Sequence, residues 1–183
     1  GNVVALTLTI NTPFGSGLTV PGTGIILNNE MDDFAVAPDT PNAYGLVDLR
    51  DANAVVPGKR PLSSMTPVIL VKDGKPWLVG GSPGGPRIIS TTLLSILNVV
   101  DHGMDPQAAA AAPRFHHQWR PDVLRVEPET PRDVVDALRA RGHVVVVEPH
   151  WSAAELIVID PATGLHWGGS DTRTDGAAIG FRP

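Results

Sequence analysis

The chain contains no cysteine. That absence excludes disulfides, thiolate-ligated zinc and a cysteine nucleophile, and it leaves every compartment open, export included. Basic runs are also scarce: the longest is Lys59-Arg60, the net charge is −5 and the sequence pI is about 5.6. No electrostatic footprint for nucleic acid or an anionic membrane is visible, so small molecules or proteins are the expected partners. No segment approaches the roughly 18 uninterrupted apolar residues of a membrane span, and no signal peptide opens the chain. No repeat, low-complexity tract or linker divides it. Gly1-Asn2-Val3-Val4 enters a strand pattern without a Met, and further residues are expected upstream of it.

What remains is a chain of 183 residues, 42% hydrophobic and 18% charged, enough for one well-filled core and expected to form a single domain over residues 1–183. Its organising stretch is Gly80-Gly81-Ser82-Pro83-Gly84-Gly85-Pro86-Arg87, which joins a short apolar strand to the longest helical pattern through four glycines. Glycine lets a ligand approach the main chain, and Pro86 fits a first helical turn. A turn opening onto a helix directs unpaired N–H groups at one spot, a seat for a carboxylate, a phosphate or a developing oxyanion. A plain tight turn with no ligand fits the same residues. The stretch lacks the Lys-Ser/Thr ending of a phosphate loop and the Gly-x-Gly-x-x-Gly register of a dinucleotide site.

Around this joint the pattern reads as strands at both ends and helices in the middle, an α+β arrangement. Val4 to Ile10 alternates as a strand with one face on a core, and Ile25-Ile26-Leu27 reads as a short buried strand. Residues 35–60 lack periodicity, which suits a lid or binding loop. Asp73-Gly74 between two apolar runs predicts a hairpin. A largely buried helix is expected from Pro86 to Val100, a second from Asp105-Pro106 through the alanines, and a third from Thr130-Pro131 to Gly142. Further strands are expected at Val123–Val126, Val144–Val147, Leu156–Ile159 and Leu165–Gly168.

Three more groups could carry chemistry. Asn28-Asn29-Glu30-Met31-Asp32-Asp33 could bind an ammonium group or a hard cation, or be a solvated acidic turn; it has no calcium-loop register. Ser63-Ser64, after Lys59-Arg60, could donate to a carboxylate or be ordinary loop residues; no Gly-x-Ser-x-Gly elbow marks either as a nucleophile. His116-His117 alternate across a strand and lack metal spacing, so a structural role is expected, as is core packing for Trp77, Trp151 and Trp167.

Taken together, Thr9-Ile10-Asn11, Leu27 to Phe34, Pro61-Leu62-Ser63-Ser64-Met65, Gly81-Ser82-Pro83-Gly84-Gly85 and Pro113 to Gln118 resemble the small subunit of γ-glutamyltranspeptidase, in the family's order and across essentially the whole chain. The resemblance implies the N-terminal-nucleophile hydrolase fold, an αββα sandwich shared with a large subunit that self-cleavage releases from the same precursor. It implies a nucleophilic threonine upstream of Gly1, with its own α-amino group as base. Thr9 then matches the threonine that orients the nucleophile, and Gly84 and Gly85 match the oxyanion pair. Asn11, Glu30 and Asp33 match the holders of the substrate α-ammonium. Ser63 and Ser64 match donors to its α-carboxylate, a site completed by an arginine of the large subunit. Tyr44 matches an aromatic lid residue that can bridge to the Asn11 position, and near Asp48-Leu49-Arg50 the loop departs from the bacterial pattern by about one residue, within loop tolerance.

The activity implied is γ-glutamyl transfer from compounds such as glutathione to an amino acid, a peptide or water, without cofactor or metal. Export to periplasm or medium is implied, with the signal on the large subunit. The alternatives are a cephalosporin or glutaryl acylase of the same superfamily, or a non-catalytic amino-acid-binding subunit. Glu30 and Asp33 oppose the acylase, because two desolvated carboxylates facing a substrate without an ammonium would be costly.

Overall fold

The hairpin around Asp73-Gly74 forms as its turn chemistry dictates. In the computed structural model, which describes residues 1–181, Asp73 (φ 51°) and Gly74 (φ 77°) both take positive φ, the geometry that joins two antiparallel strands through two residues. These strands are β1 (Val68–Lys72) and β2 (Lys75–Gly81), followed by α1 (Arg87–Val100), α2 (Pro106–Ala111), β3 (Phe115–His116), β4 (Leu124–Val126), α3 (Arg132–Ala140), β5 (Val145–Val147), β6 (Glu155–Ile159) and β7 (His166–Ser170). The helix ends follow local chemistry as well: Asp105 accepts the Ala108 N–H (2.8 Å) to cap α2, and Gly142 takes positive φ just beyond α3.

The residues divide into two compact units, one of Gly1–Thr7 with the chain from Ser64 onward, the other Leu8–Ser63. The first holds both sheets. One has the order β1-β2-β6-β7 and is antiparallel throughout; the other has the order β3-β4-β5, with β4 and β5 parallel across α3. Gly80 faces Leu156 in the β2–β6 pair, where an added Cβ would come 2.6 Å from the Leu156 side chain and 2.9 Å from the Glu155 carbonyl. Gly169 of β7 similarly leaves room for the backbone of Pro106, so the alanine-rich α2 lies close against the sheet. Leu78, Val99, Ala109, Ala110, Ala154 and Leu156 form one buried cluster, and Leu124, Val126, Val135 and Val145 a second beneath α3.

The structure corrects four expectations. Residues 4–10 form no strand: Val4, Leu6 and Leu8 are 80%, 78% and 88% exposed, because no strand among the described residues supplies the hydrogen-bonding edge that their alternation requires. Ile25-Ile26-Leu27 is exposed and makes only a narrow loop-back, with Leu27 N–H donating to Leu18 O (2.9 Å) and Val20 N–H to Ile25 O (2.8 Å). Helix α1 buries Ile88, Thr91, Thr92, Ser95 and Val99 while Ile89, Leu93 and Val100 stay exposed, so its inner face is half hydroxyl. Trp167, on edge strand β7, is exposed, whereas Trp151 is buried as expected.

Candidate functional site

At the glycine turn, Gly84 (φ 132°) and Gly85 (φ 57°) adopt conformations that L side chains rarely enter. Their carbonyls accept from Arg87 N–H (3.2 Å) and Ile88 N–H (3.1 Å), which closes the first turn of α1. Among the described residues neither glycine's own N–H has a partner. Two adjacent free donors at a helix start can bind an anion or a developing oxyanion. Ser82 is buried, and its hydroxyl donates to Pro83 O (2.7 Å) rather than facing a ligand.

The acidic stretch folds into a 3-10 turn, Glu30–Asp33, held by its own amides. Glu30 N–H donates to Asn28 Oδ1 (3.0 Å), and Asn29 Nδ2 donates to Asp32 Oδ2 (2.8 Å), so Asp32 serves the turn. Glu30 and Asp33 lie within reach of a hydrogen bond that forms only when one of the two carboxyls is protonated. Burial raises the pKa of Glu30, and the neighbouring Asp33 adds to the rise. Burial likewise raises Asp33, assisted by Asp32 and opposed by its bond to Glu30. Asn11 (φ 80°) donates from Nδ2 to Asn29 O (2.9 Å), and its Oδ1 accepts the Tyr44 hydroxyl. Burial and then the charges of Asp33, Glu30 and Asp32 raise the Tyr44 phenol, which keeps it a donor. The result is a half-buried anionic cluster with an amide and a phenol beside it, suited to an ammonium group. Thr9 Oγ1 accepts the Asn11 N–H (2.8 Å), and an accepting hydroxyl keeps its own proton for another partner.

Sequence reasoning missed what pins the loop carrying Tyr44. Asn42 donates to Asp33 O (3.0 Å) and accepts from the N–H groups of Tyr44 and Leu46 (both 3.0 Å). Asn53 donates to the same Asp33 carbonyl (2.7 Å) and accepts from Leu62 N–H (2.8 Å). Asp48 accepts from Arg50 and Asn53 N–H, bonds that lower its pKa. The visible signal was Asn42 two residues before Tyr44, the spacing of an Asx turn. Of the serine pair, Ser63 is exposed and ends the second unit, while Ser64 is half-buried and begins the return to the first, its carbonyl accepting from Thr66 Oγ1 (2.8 Å).

His116 is buried, with Nδ1 against Ser90 Oγ (2.8 Å) and Nε2 against Gln118 Oε1 (3.0 Å), and burial is the main cause of its lowered pKa. His117 pairs with the exposed Asp122 (2.9 Å). No group of three or more metal-capable side chains occurs among the described residues.

A buried ionic network was equally invisible in the sequence. Arg114 pairs with Asp171, and Arg173 pairs with both Glu127 (2.6 Å) and Asp171 (3.0 Å). Burial raises the Asp171 pKa, but its bonds to Arg114, Ala154 N–H and Arg173 outweigh that and hold it low. The network grips the segment before β6: Trp151 N–H donates to Glu127 (3.3 Å), Arg114 donates to Trp151 O (2.8 Å) and Ala154 N–H donates to Asp171 (2.7 Å). Between these anchors Ser152 takes φ 59°, and its hydroxyl is buried without a partner among the described residues. An orphaned hydroxyl costs about 1–3 kcal/mol, and a non-glycine left-handed residue costs a similar amount.

The sequence model of the family Gamma-glutamyltranspeptidase matches residues 1–181. The glutathione hydrolase proenzyme of Escherichia coli (strain K12) is 52% identical over 174 residues, covering 95% of this chain and 30% of that protein. The chain thus spans about a third or less of the length of such curated relatives. A crystal structure of acivicin-inhibited γ-glutamyltranspeptidase superposes with a TM-score of 0.92 at 47% identity, covering 96% of this chain and 95% of that one. Cephalosporin acylase from Bacillus halodurans gives 0.83 at 33% identity, covering 96% of this chain and 31% of that one.

Proposed function

The chain belongs to the γ-glutamyltranspeptidase family, and on that premise we propose that it supplies oxyanion-stabilising and substrate-binding residues of an enzyme that transfers and hydrolyses γ-glutamyl groups. Its fold is the α+β fold of the N-terminal-nucleophile hydrolases. In this reading it is the small subunit, a single domain of a processed heterodimer exported to periplasm or medium.

The substrate is a γ-glutamyl amide such as glutathione. Glu30 and Asp33, with Asn11, bind its α-ammonium; Ser63 and Ser64 donate to its α-carboxylate; Tyr44 covers it. The hydroxyl oxygen of the family's N-terminal threonine attacks the γ-carbonyl carbon and passes its proton to the threonine's own amine. The negative charge that develops on the carbonyl oxygen is received by the N–H groups of Gly84 and Gly85. The C–N bond breaks, the leaving amine takes that proton, and an ester-linked γ-glutamyl enzyme remains. Water then yields glutamate, or an amino acid or peptide amine yields a new γ-glutamyl amide. Thr9 orients the nucleophile. Each oxyanion donor is worth on the order of 100-fold in rate.

One observation carries this reading: Glu30 and Asp33 stand three apart on one 3-10 turn, beside the bonded pair Asn11 and Tyr44, and a bound ammonium would offset the repulsion between their ionised forms. The fold likeness to cephalosporin acylase favours a second reading, glutaryl transfer, in which the substrate lacks the ammonium. The intact mature protein is assayed on γ-glutamyl and glutaryl anilides. γ-Glutamyl preference, with Asp33→Ala raising KM steeply for that substrate alone, supports the proposal. Equal loss on both anilides removes the ammonium role, glutaryl preference gives the acylase, and turnover of neither gives the binding subunit.

A further inference from the structure

The hydroxyl oxygen of Ser152 would clash with the Cβ of any L residue at position 84, and Ser152 Cβ and Cα lie 3.0 Å and 3.4 Å from the point that Cβ would occupy. Gly84 is therefore flanked by a side chain as well as being free of one. Ser152 holds this position against two local penalties, a left-handed backbone and a buried hydroxyl with no partner. Such penalties survive only where the surroundings over-determine the conformation. Here they do so on both sides: Glu127 and Arg114 fix the amide and carbonyl of Trp151, and Asp171 fixes the amide of Ala154. A second contact ties the same segment to the turn, since the Arg87 guanidinium stacks on the Trp151 ring at 4.8 Å while pairing with Glu148 (2.7 Å).

We propose that Ser152 is a positioning residue for the oxyanion amides: braced by the Arg114–Asp171–Arg173–Glu127 network, its side chain is a wedge against Gly84 that keeps the N–H groups of Gly84 and Gly85 aimed together. The argument rests on the γ-glutamyl reading for the role of those amides. It goes beyond that reading in giving their geometry a cause elsewhere in the chain. The wedge acts by volume. Its hydroxyl has no bond to lose, so the space it fills decides the effect.

The test uses the full-length precursor, matured and quantified as processed enzyme, with Ser152→Cys, Ser152→Ala and Ser152→Gly. For γ-glutamyl-p-nitroanilide, kcat is expected to fall on the order of tenfold in Ser152→Gly and less in Ser152→Ala, since small misplacements of reacting groups cost rate. KM stays within about twofold because the ammonium and carboxylate contacts are intact. Ser152→Cys keeps the volume and keeps kcat. Thermal midpoints of the Ala and Gly variants do not drop, since each sheds the orphaned hydroxyl. A purely structural role would lower the midpoint and leave kcat per folded enzyme unchanged, and that result overturns the proposal. So does a Cys variant as slow as the Ala variant, which would assign the effect to the hydroxyl.

A readout without substrate separates this inference from the reading beneath it. Exchange of the Arg87 and Ile88 amides, bonded to the carbonyls of Gly84 and Gly85, is expected to quicken about threefold or more in Ser152→Gly as that turn loosens. Unchanged exchange removes the wedge even if the wild type is active. A wild type inactive on γ-glutamyl-p-nitroanilide, with exchange quickened as expected, removes the γ-glutamyl reading and leaves the wedge standing.

Discussion

Glu30 and Asp33 show how a residue's surroundings prepare it for a charge it does not carry itself. Both carboxyl groups are raised chiefly by burial, so each keeps its proton to a higher pH than a freely solvated carboxyl does. An ammonium favours the ionised pair. As pH falls into the raised range, KM for a γ-glutamyl anilide is therefore expected to climb, while KM for the glutaryl anilide stays nearly flat; parallel profiles for the two substrates would remove the ammonium role. The stability sign is opposite. A raised folded pKa contributes stability fully present below the unfolded value and lost as pH rises through the folded one, so the empty protein gains nothing from ionising this pair. The residue types and their order were legible in the sequence. Which carboxylate is already occupied was not: Asp32 is bonded to Asn29, a partner choice fixed by the 3-10 turn.

Elements were legible in proportion to how local their causes are. The Asp73-Gly74 hairpin and the Asp105 cap formed where expected because each depends on residues within one turn. The alternation from Val4 to Ile10 did not become a strand, because a strand also needs an edge to pair with and periodicity says nothing of one. Helix α1 hid a different point: its apolar spacing was read correctly as helical, yet its inward face carries Thr91, Thr92 and Ser95. Away from that face, Ser90 joins the helix to β3 through His116. Burial first, then the charges of Arg87, Arg125 and His117, hold the His116 pKa down, against the Gln118 bond that raises it. With a depressed folded pKa, the neutral histidine contributes stability above the ordinary imidazole value of about 6.5, and that stability is lost as pH falls through the folded value. The thermal midpoint of the intact protein should thus fall more steeply below pH ~6.5 than that of His116→Gln, since only the wild type must charge a buried imidazole there. Equal slopes in the two proteins would show that other groups set the acid limit.

At the scale of the molecule, the ionic network joins α2, the residue just past β4, the segment before β6 and the residues after β7. Its members are separated by up to 59 positions, from Arg114 to Arg173, and no periodicity connects them; only folding brings the charges together. Removing Arg114 leaves two buried carboxylates, Glu127 and Asp171, sharing the single cation of Arg173. Arg114→Leu is expected to cost about 3–5 kcal/mol, the range for an uncompensated buried charge. Urea unfolding of the intact protein measures it, and a loss under about 1 kcal/mol, the level of an exposed pair, would show that water reaches the site.

Asp171 and Arg173 lie beyond the last strand, in a stretch without regular structure. A diagram of strands and helices would draw that stretch as a trailing end, fit to be shortened or to carry a fused tag. The charges say otherwise: a truncation after Ser170 keeps every strand and helix yet takes Asp171 from Arg114 and Arg173 from Glu127 in the interior. For anyone trimming or tagging this protein, the working boundary lies past Arg173 rather than at the end of β7.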